Sequence, residues 1–205
     1  MGAKDRNRQH VLDKAKQLFT ERGVTGVSMT DVALFADFGV ASVYRYFGGK
    51  NALVMECAVA LWEDKLDRMR VLYDENFDKT GYEQLAFLTR NFTYTVVSDK
   101  NFTHFLFTLD AFLISEKITS EDRDKYDDIM LEIYSMFETA YKKGLSDGSV
   151  RNVGSFEDFY FAATQSLISL TQKLTMRGNI VSKDKSVDSK IELLINMFTD
   201  YVKNK

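Results

Sequence analysis

Residues 28–50, SMTDVALFADFGVASVYRYFGGK, leave the backbone few choices. Ser28 is a good helix N-cap, and Asp31 three residues on supplies the acidic partner of a capping box. Val32, Ala33 and Ala36 follow at helical spacing. Asp37 falls at a turn, and a second helix starts at Gly39 or Val40. Its Val43 and Phe47 lie four apart and face inward. Gly48 and Gly49 break the chain again, and Lys50 opens a third helix.

Two short helices crossing at a tight turn need a small residue at the crossing, a residue that tolerates left-handed geometry at the turn, and an aliphatic anchor on the second helix. Ala33 and Val43 meet the first and third needs. Asp37 meets the second less well than Gly would, because Asp visits the left-handed region only occasionally. Val40, Ala41, Ser42, Tyr44, Arg45 and Tyr46 point outward from the second helix. Small groups at its start allow close approach to a DNA major groove, and the hydroxyls and guanidinium reach base edges or phosphates. Lys50 is placed to meet a phosphate.

The run Ala36, Asp37, Phe38, Gly39, Val40, Ala41, Ser42, Val43, Tyr44, Arg45, Tyr46, Phe47 and then Lys50 resembles the DNA-binding domain of the tetracycline-repressor (TetR) family. The family pattern is small residue, Gly, Val, Ser or Gly, any, Gly or Ala, Ser or Thr, aliphatic, Tyr, any, His or Tyr, Phe, with Lys three residues later. The departures are Asp37 and Phe38, which bear on the turn and the core beneath it. The resemblance covers residues 8–55 by motif and the remainder by helix pattern. It implies DNA contact by Ser28, Thr30, Gly39, Val40, Ala41, Ser42, Tyr44, Arg45, Tyr46 and Lys50.

The chain of 205 residues contains no proline, which suits an almost wholly helical protein. One cysteine, Cys57, forms no internal disulfide, and no apolar run is long enough to span a membrane. A cytoplasmic protein is expected. Residues 1–50 carry eight Lys or Arg against five Asp or Glu, and the remainder carries 19 against 25. A positive first quarter on an acidic body suits a DNA reader. Lys4, Arg6 and Arg8 make the first nine residues either a frayed terminus or a basic arm or helix start near phosphates.

The expected architecture is all-α with about nine helices. Residues 1–50 form a three-helix helix-turn-helix DNA-binding domain, and 51–205 a helical-bundle ligand-binding and dimerisation domain. Helix 1 should run from Asn7 to Arg22, closed by Gly23, with Leu18, Phe19, Val32, Val43 and Phe47 sharing a core. Helix 4, over 50–73, connects the two domains, with Leu53, Ala60, Leu61 and Leu72 as core positions. Trp62 reads as packing first and cavity lining second.

Helices 5 and 6 are expected over 81–98 and 101–116. The second is apolar nearly all round, which predicts a central, buried helix. Asp110 then falls within the Leu106, Phe107, Leu113, Ile114 stripe, where a carboxylate is costly unless partnered. It reads as a structural ion pair or helix cap before it reads as a polar anchor in a ligand cavity. His104 reads as a satisfied polar-face residue. Two histidines and one cysteine give a metal site little support, and no cofactor is implied. Helix 7 is expected over 120–143 with Gly144 as its stop.

Helix 8, over 156–177, has no charged residue from Phe159 to Gln172, where an outer face would normally carry some. With helix 9, over 184–202, it either pairs with a second copy or forms internal core. The family resemblance favours a homodimer through Phe159, Ala162, Ala163, Ser166, Ser169, Leu170, Leu194 and Phe198, reading a palindromic operator in double-stranded DNA. By the same analogy the protein is a transcriptional regulator, not an enzyme, released from DNA by a small apolar or aromatic effector. Trp62, Phe87, Phe107, Asp110, Tyr134 and Phe137 are the candidate pocket residues. Two other classes stay open: a DNA-binding protein with no ligand, architectural or protein-regulated, and a helical ligand carrier or enzyme with a vestigial head.

Overall fold

The computed structural model describes residues 2–177 and 188–204. These form nine helices: α1 (Ala3–Arg22), α2 (Met29–Phe35), α3 (Val40–Phe47), α4 (Lys50–Asp74), α5 (Gly81–Val97), α6 (Lys100–Ser115), α7 (Ser120–Asp147), α8 (Phe156–Arg177) and α9 (Asp188–Val202). They group into two compact units, one of residues up to Asp64 with His104–Ile129, the other of Lys65–Thr103 with Met130 onward. All three boundaries along the chain fall inside helices, α4, α6 and α7, rather than in loops.

In the first unit, α1, α2 and α3 pack on one another. Helices of seven and eight residues are too short to persist alone, so packing must hold α2 and α3. Leu18, Phe19, Val32, Val43 and Phe47 are all buried together with Val11, Ala15 and Leu53. Each such side chain contributes roughly 1.5–3 kcal/mol on full burial. α1 starts at Ala3, earlier than the expected Asn7, because Asp5 Oδ2 accepts the Gly2 N–H at 3.0 Å and caps the first turn. Residues 3–9 are therefore a helix start and not a frayed terminus.

Gly23 closes α1 with φ 80 and ψ 156, a conformation left to glycine, and its amide donates to the Phe19 carbonyl at 3.0 Å. A Cβ there would lie 2.8 Å from Thr108 Cγ2. α6 reaches this corner with His104 Nδ1 3.2 Å from the Thr20 carbonyl and with Thr108 Oγ1 accepting the Val24 N–H at 3.1 Å. The buried side of α6 carries Phe102, Phe105, Leu106, Leu109 and Phe112. Its opposite side is open, with Phe107 52% and Ile114 88% exposed and Asp110 exposed between them. The all-round apolar character thus does not make α6 a central helix. Asp110 escapes the cost of a buried carboxylate because its stripe faces outward.

In the second unit, α5 packs on α8 and α9, and α8 packs on α9. α7 continues through Gly144 to Asp147 instead of stopping there. Gly144 serves a helix crossing: a Cβ on Gly81 would fall 2.0 Å from its backbone N, and a Cβ on Gly144 would fall 2.4 Å from Val150 Cγ2. The crossing is pinned by Asp147 Oδ2, which accepts the Gly81 N–H at 2.8 Å. The expected Gly178 stop of α8 and residues 184–187 of the expected last helix lie outside the described residues.

Cys57 is fully buried on α4, and burial pushes its thiol well above the usual range. Among the described residues no helix is long and apolar enough to cross a membrane.

Candidate nucleic-acid interface

The turn before α3 is made by the two residues that depart from the family pattern. Asp37 has φ 58, the one positive φ outside glycine among the described residues, so it takes the left-handed turn position itself. Phe38 is half-buried and packs on His10 and Tyr46, with ring centroids 6.1 and 6.3 Å apart. It extends the core beneath the turn.

Upstream, the Ser28 hydroxyl accepts the Asp31 N–H at 3.1 Å while Asp31 Oδ2 accepts the Ser28 N–H at 2.8 Å. The Ser28 hydroxyl, donating to Asp31 Oδ2 at 2.5 Å, and then the Ser28 N–H hold the Asp31 carboxyl below the usual carboxylate range. α3 is held by Val43 and Phe47, 0% and 5% exposed. Gly48, with φ 76, closes it, its amide donating to Tyr44 O at 2.7 Å. The helix starts from Gly39, which has no side chain to cover the first N–H groups.

With those anchors inside, Gly39, Val40, Ala41, Tyr44 and Arg45 are exposed on α3 and its cap, as are Ser28 and Thr30 at the start of α2. Arg45 Nη2 donates to Ser42 Oγ at 3.0 Å, and its guanidinium lies 5.6 Å from the Tyr46 ring centroid, so the cation is held near the surface. Tyr46 differs from Tyr44: it is half-buried, edge-on to Phe47, and its carbonyl accepts Arg8 Nε at 3.4 Å. Its first task is bracing. Lys50 is half-buried with Nζ 5.7 Å from the Phe112 centroid, and this burial lowers its pKa.

Arg8, read from the sequence as part of a basic arm, donates to both Glu56 carboxylate oxygens at 2.6 and 2.5 Å and sits 4.6 Å from the Phe47 centroid. It ties α1 to α4. The His10–Phe38–Tyr46 row was not foreseen, since Phe38 registered only as a departure.

The candidate effector residues fall in both units. In the first, Trp62 is buried, Phe107 and Asp110 are exposed, and Tyr126 joins them. Burial, then the Asp110 charge, pushes the Tyr126 hydroxyl up to about 12, with a Trp62 hydrogen bond opposing. In the second, Phe87 and Tyr134 are half-buried. There Phe137 lines an aromatic cavity with Phe92, Phe156 and Tyr160. That cavity has about 10 Å³ of open space, hardly one water molecule. Burial holds the Tyr160 hydroxyl well above its usual range.

Of the candidate interface residues, Ala163 is buried, Phe159, Leu170, Leu194 and Phe198 are half-buried, and Ala162, Ser166 and Ser169 are exposed. Phe161, Leu193, Met197 and Tyr201 are exposed on the same two helices and were not singled out beforehand.

A short helix fixed from behind by two buried residues, with small, hydroxyl and guanidinium groups outward, is the geometry of a helix-turn-helix. Residues 11–57 match the family model described as bacterial regulatory proteins, tetR family. That stretch of 47 residues, about a quarter of the chain, carries the resemblance to the family.

A probable HTH-type transcriptional regulator, YttP, of Bacillus subtilis (strain 168) is 26% identical over 109 residues, spanning 52% of this chain and 53% of that protein. Solved structures share the fold at lower identity. The fatty acid degradation regulator FadR from Bacillus halodurans aligns with TM-score 0.70 at 14% identity, covering 100% of this chain and 99% of its own. A transcriptional regulator from Saccharomonospora viridis in complex with choline aligns with TM-score 0.71 at 17% identity over 98% and 100%. FadR from Bacillus subtilis in complex with stearoyl-CoA gives 0.70 at 15% over 95% and 98%.

Proposed function

We propose that the protein is a homodimeric, sequence-specific repressor that reads a palindromic operator with α3 and leaves it on binding a small effector. The observation that carries this reading is the outward face of α3, Val40, Ala41, Tyr44 and Arg45, on a helix whose Val43 and Phe47 are buried. Two copies joined through α8 and α9 would present their α3 helices to half-sites about one helical turn apart. The nearly filled aromatic cavity of the second unit favours, as a second reading, a DNA-binding protein that needs no internal ligand.

Selection of bound sites from random duplex DNA at fixed salt tests the first part. An enriched palindrome is expected, and no enrichment by folded protein would overturn it. Tyr44→Ala and Arg45→Ala should each weaken binding to the selected site by about 1–3 kcal/mol. Lys50→Ala should weaken binding to all sequences and lower the salt slope by about one. Effector release is tested by whether small apolar or aromatic compounds lower affinity for that duplex.

A further inference from the structure

α4 and α5 run antiparallel through the second unit, and the loop between them is closed by the Gln84 amide, which donates to the Asn76 and Phe77 carbonyls at 3.0 and 2.9 Å. At the far end Lys65 Nζ lies 3.3 Å from Asp99 Oδ2. Between these ties a cleft of about 210 Å³ opens between the two helices.

The cleft is sorted along its length. Lys65 and Arg68 line one end with Tyr94 and Thr95 of α5 and Ser98 just past it, while Leu72 and Asn91 lie towards the other with the buried Met69. The other guanidiniums of these helices are occupied: Arg70 holds Glu132 and Asp67, and Arg90 holds Glu192. Arg68 is exposed and holds no carboxylate among the described residues. The hydroxyls differ in the same way. Thr89 and Thr93 turn back to the carbonyls of Leu85 and Thr89 at 2.8 and 2.7 Å. Thr95 and Ser98, at the cleft, make no such side-chain bond among the described residues.

We propose that this cleft binds a short-chain carboxylate. The planar guanidinium of Arg68 takes the two carboxylate oxygens, a geometry suited to it. Thr95 and Ser98 donate to the remaining lone pairs, while Lys65 stays paired with Asp99. The hydrocarbon tail lies on Met69 and Leu72. Size sets the class: the volume is below the roughly 300–1,000 Å³ of drug-sized sites. A carboxylate with a tail of about six carbons suits a cleft of that size. A bare inorganic anion would leave the apolar floor uncovered. The proposal does not depend on the DNA-binding reading, because occupancy is measured on the free protein.

Calorimetric titration of the full chain with hexanoate, hexanol and inorganic phosphate tests it. Hexanoate should saturate one site per chain, with hexanol and phosphate at least tenfold weaker. Arg68→Gln should weaken hexanoate at least tenfold and Thr95→Val severalfold, while the distant Arg123→Gln leaves it unchanged. Circular dichroism verifies that each variant is folded. Absence of hexanoate binding, equal binding of hexanol, or an affinity untouched by Arg68→Gln would overturn the proposal.

Discussion

At the scale of a single residue, Asp37 carries the most information. A φ of 58 costs an ordinary L-residue about 1–2 kcal/mol, less for Asp, whose short side chain tolerates it. Asp37→Gly removes that cost and should raise stability in urea unfolding by about 1 kcal/mol, while Asp37→Val should lower it by a similar amount. Neither change touches the exposed face of α3, so binding to the selected duplex should hold wherever the protein is folded. Equal stability of the Gly and Val variants would show that the turn relaxes around this position. Turn position and strain were both readable in advance, because they depend on a residue type and a local geometry.

At the scale of elements, local signals worked where the cause was local. The capping box expected at Ser28–Asp31 starts α2, a second at Thr80–Glu83 that was not read from the sequence starts α5, and the helical spacing placed Val43 and Phe47 inside. The signal misled where the cause lay elsewhere in the chain. Gly144 looks like a helix stop, yet it is glycine because the backbone of Gly81 lies against it, 63 residues earlier in the numbering. Asp110 looked buried because its neighbours are apolar, while packing left that side of α6 open.

Gly81→Ala should therefore be the costliest single methyl in the second unit, destabilising by about 3 kcal/mol, since the added carbon meets backbone rather than a movable side chain. Thermal unfolding of the variant measures it. The caps predict a pH effect. Hydrogen bonds from Ser28 and Thr80 depress the Asp31 and Glu83 pKa values below their unfolded ones. Their stabilisation is complete above about pH 5 and is lost as pH falls through the depressed values. The unfolding midpoint should fall as pH drops below about 5, and less so in Glu83→Gln, which keeps a capping group without the titration.

At the scale of the whole molecule, α8 and α9 leave Phe161, Leu193 and Met197 53%, 62% and 59% exposed on a chain expected to pair with its copy. Leu193→Glu with Met197→Glu should convert a dimer to a monomer in sedimentation equilibrium without loss of helical signal, and a dimer that survives would redirect the interface elsewhere. The uncharged run of α8 hinted at this in the sequence, but which residues of that run turn inward depends on α5 and could not be read from α8 alone. The buried Cys57 has a separate use. It is the chain's single thiol and lies within the unit that bears α3, so alkylating reagents find it only when that unit opens. Its labelling rate is a built-in clock for the opening equilibrium, slowing about tenfold for every 1.4 kcal/mol by which DNA or any ligand secures the closed form.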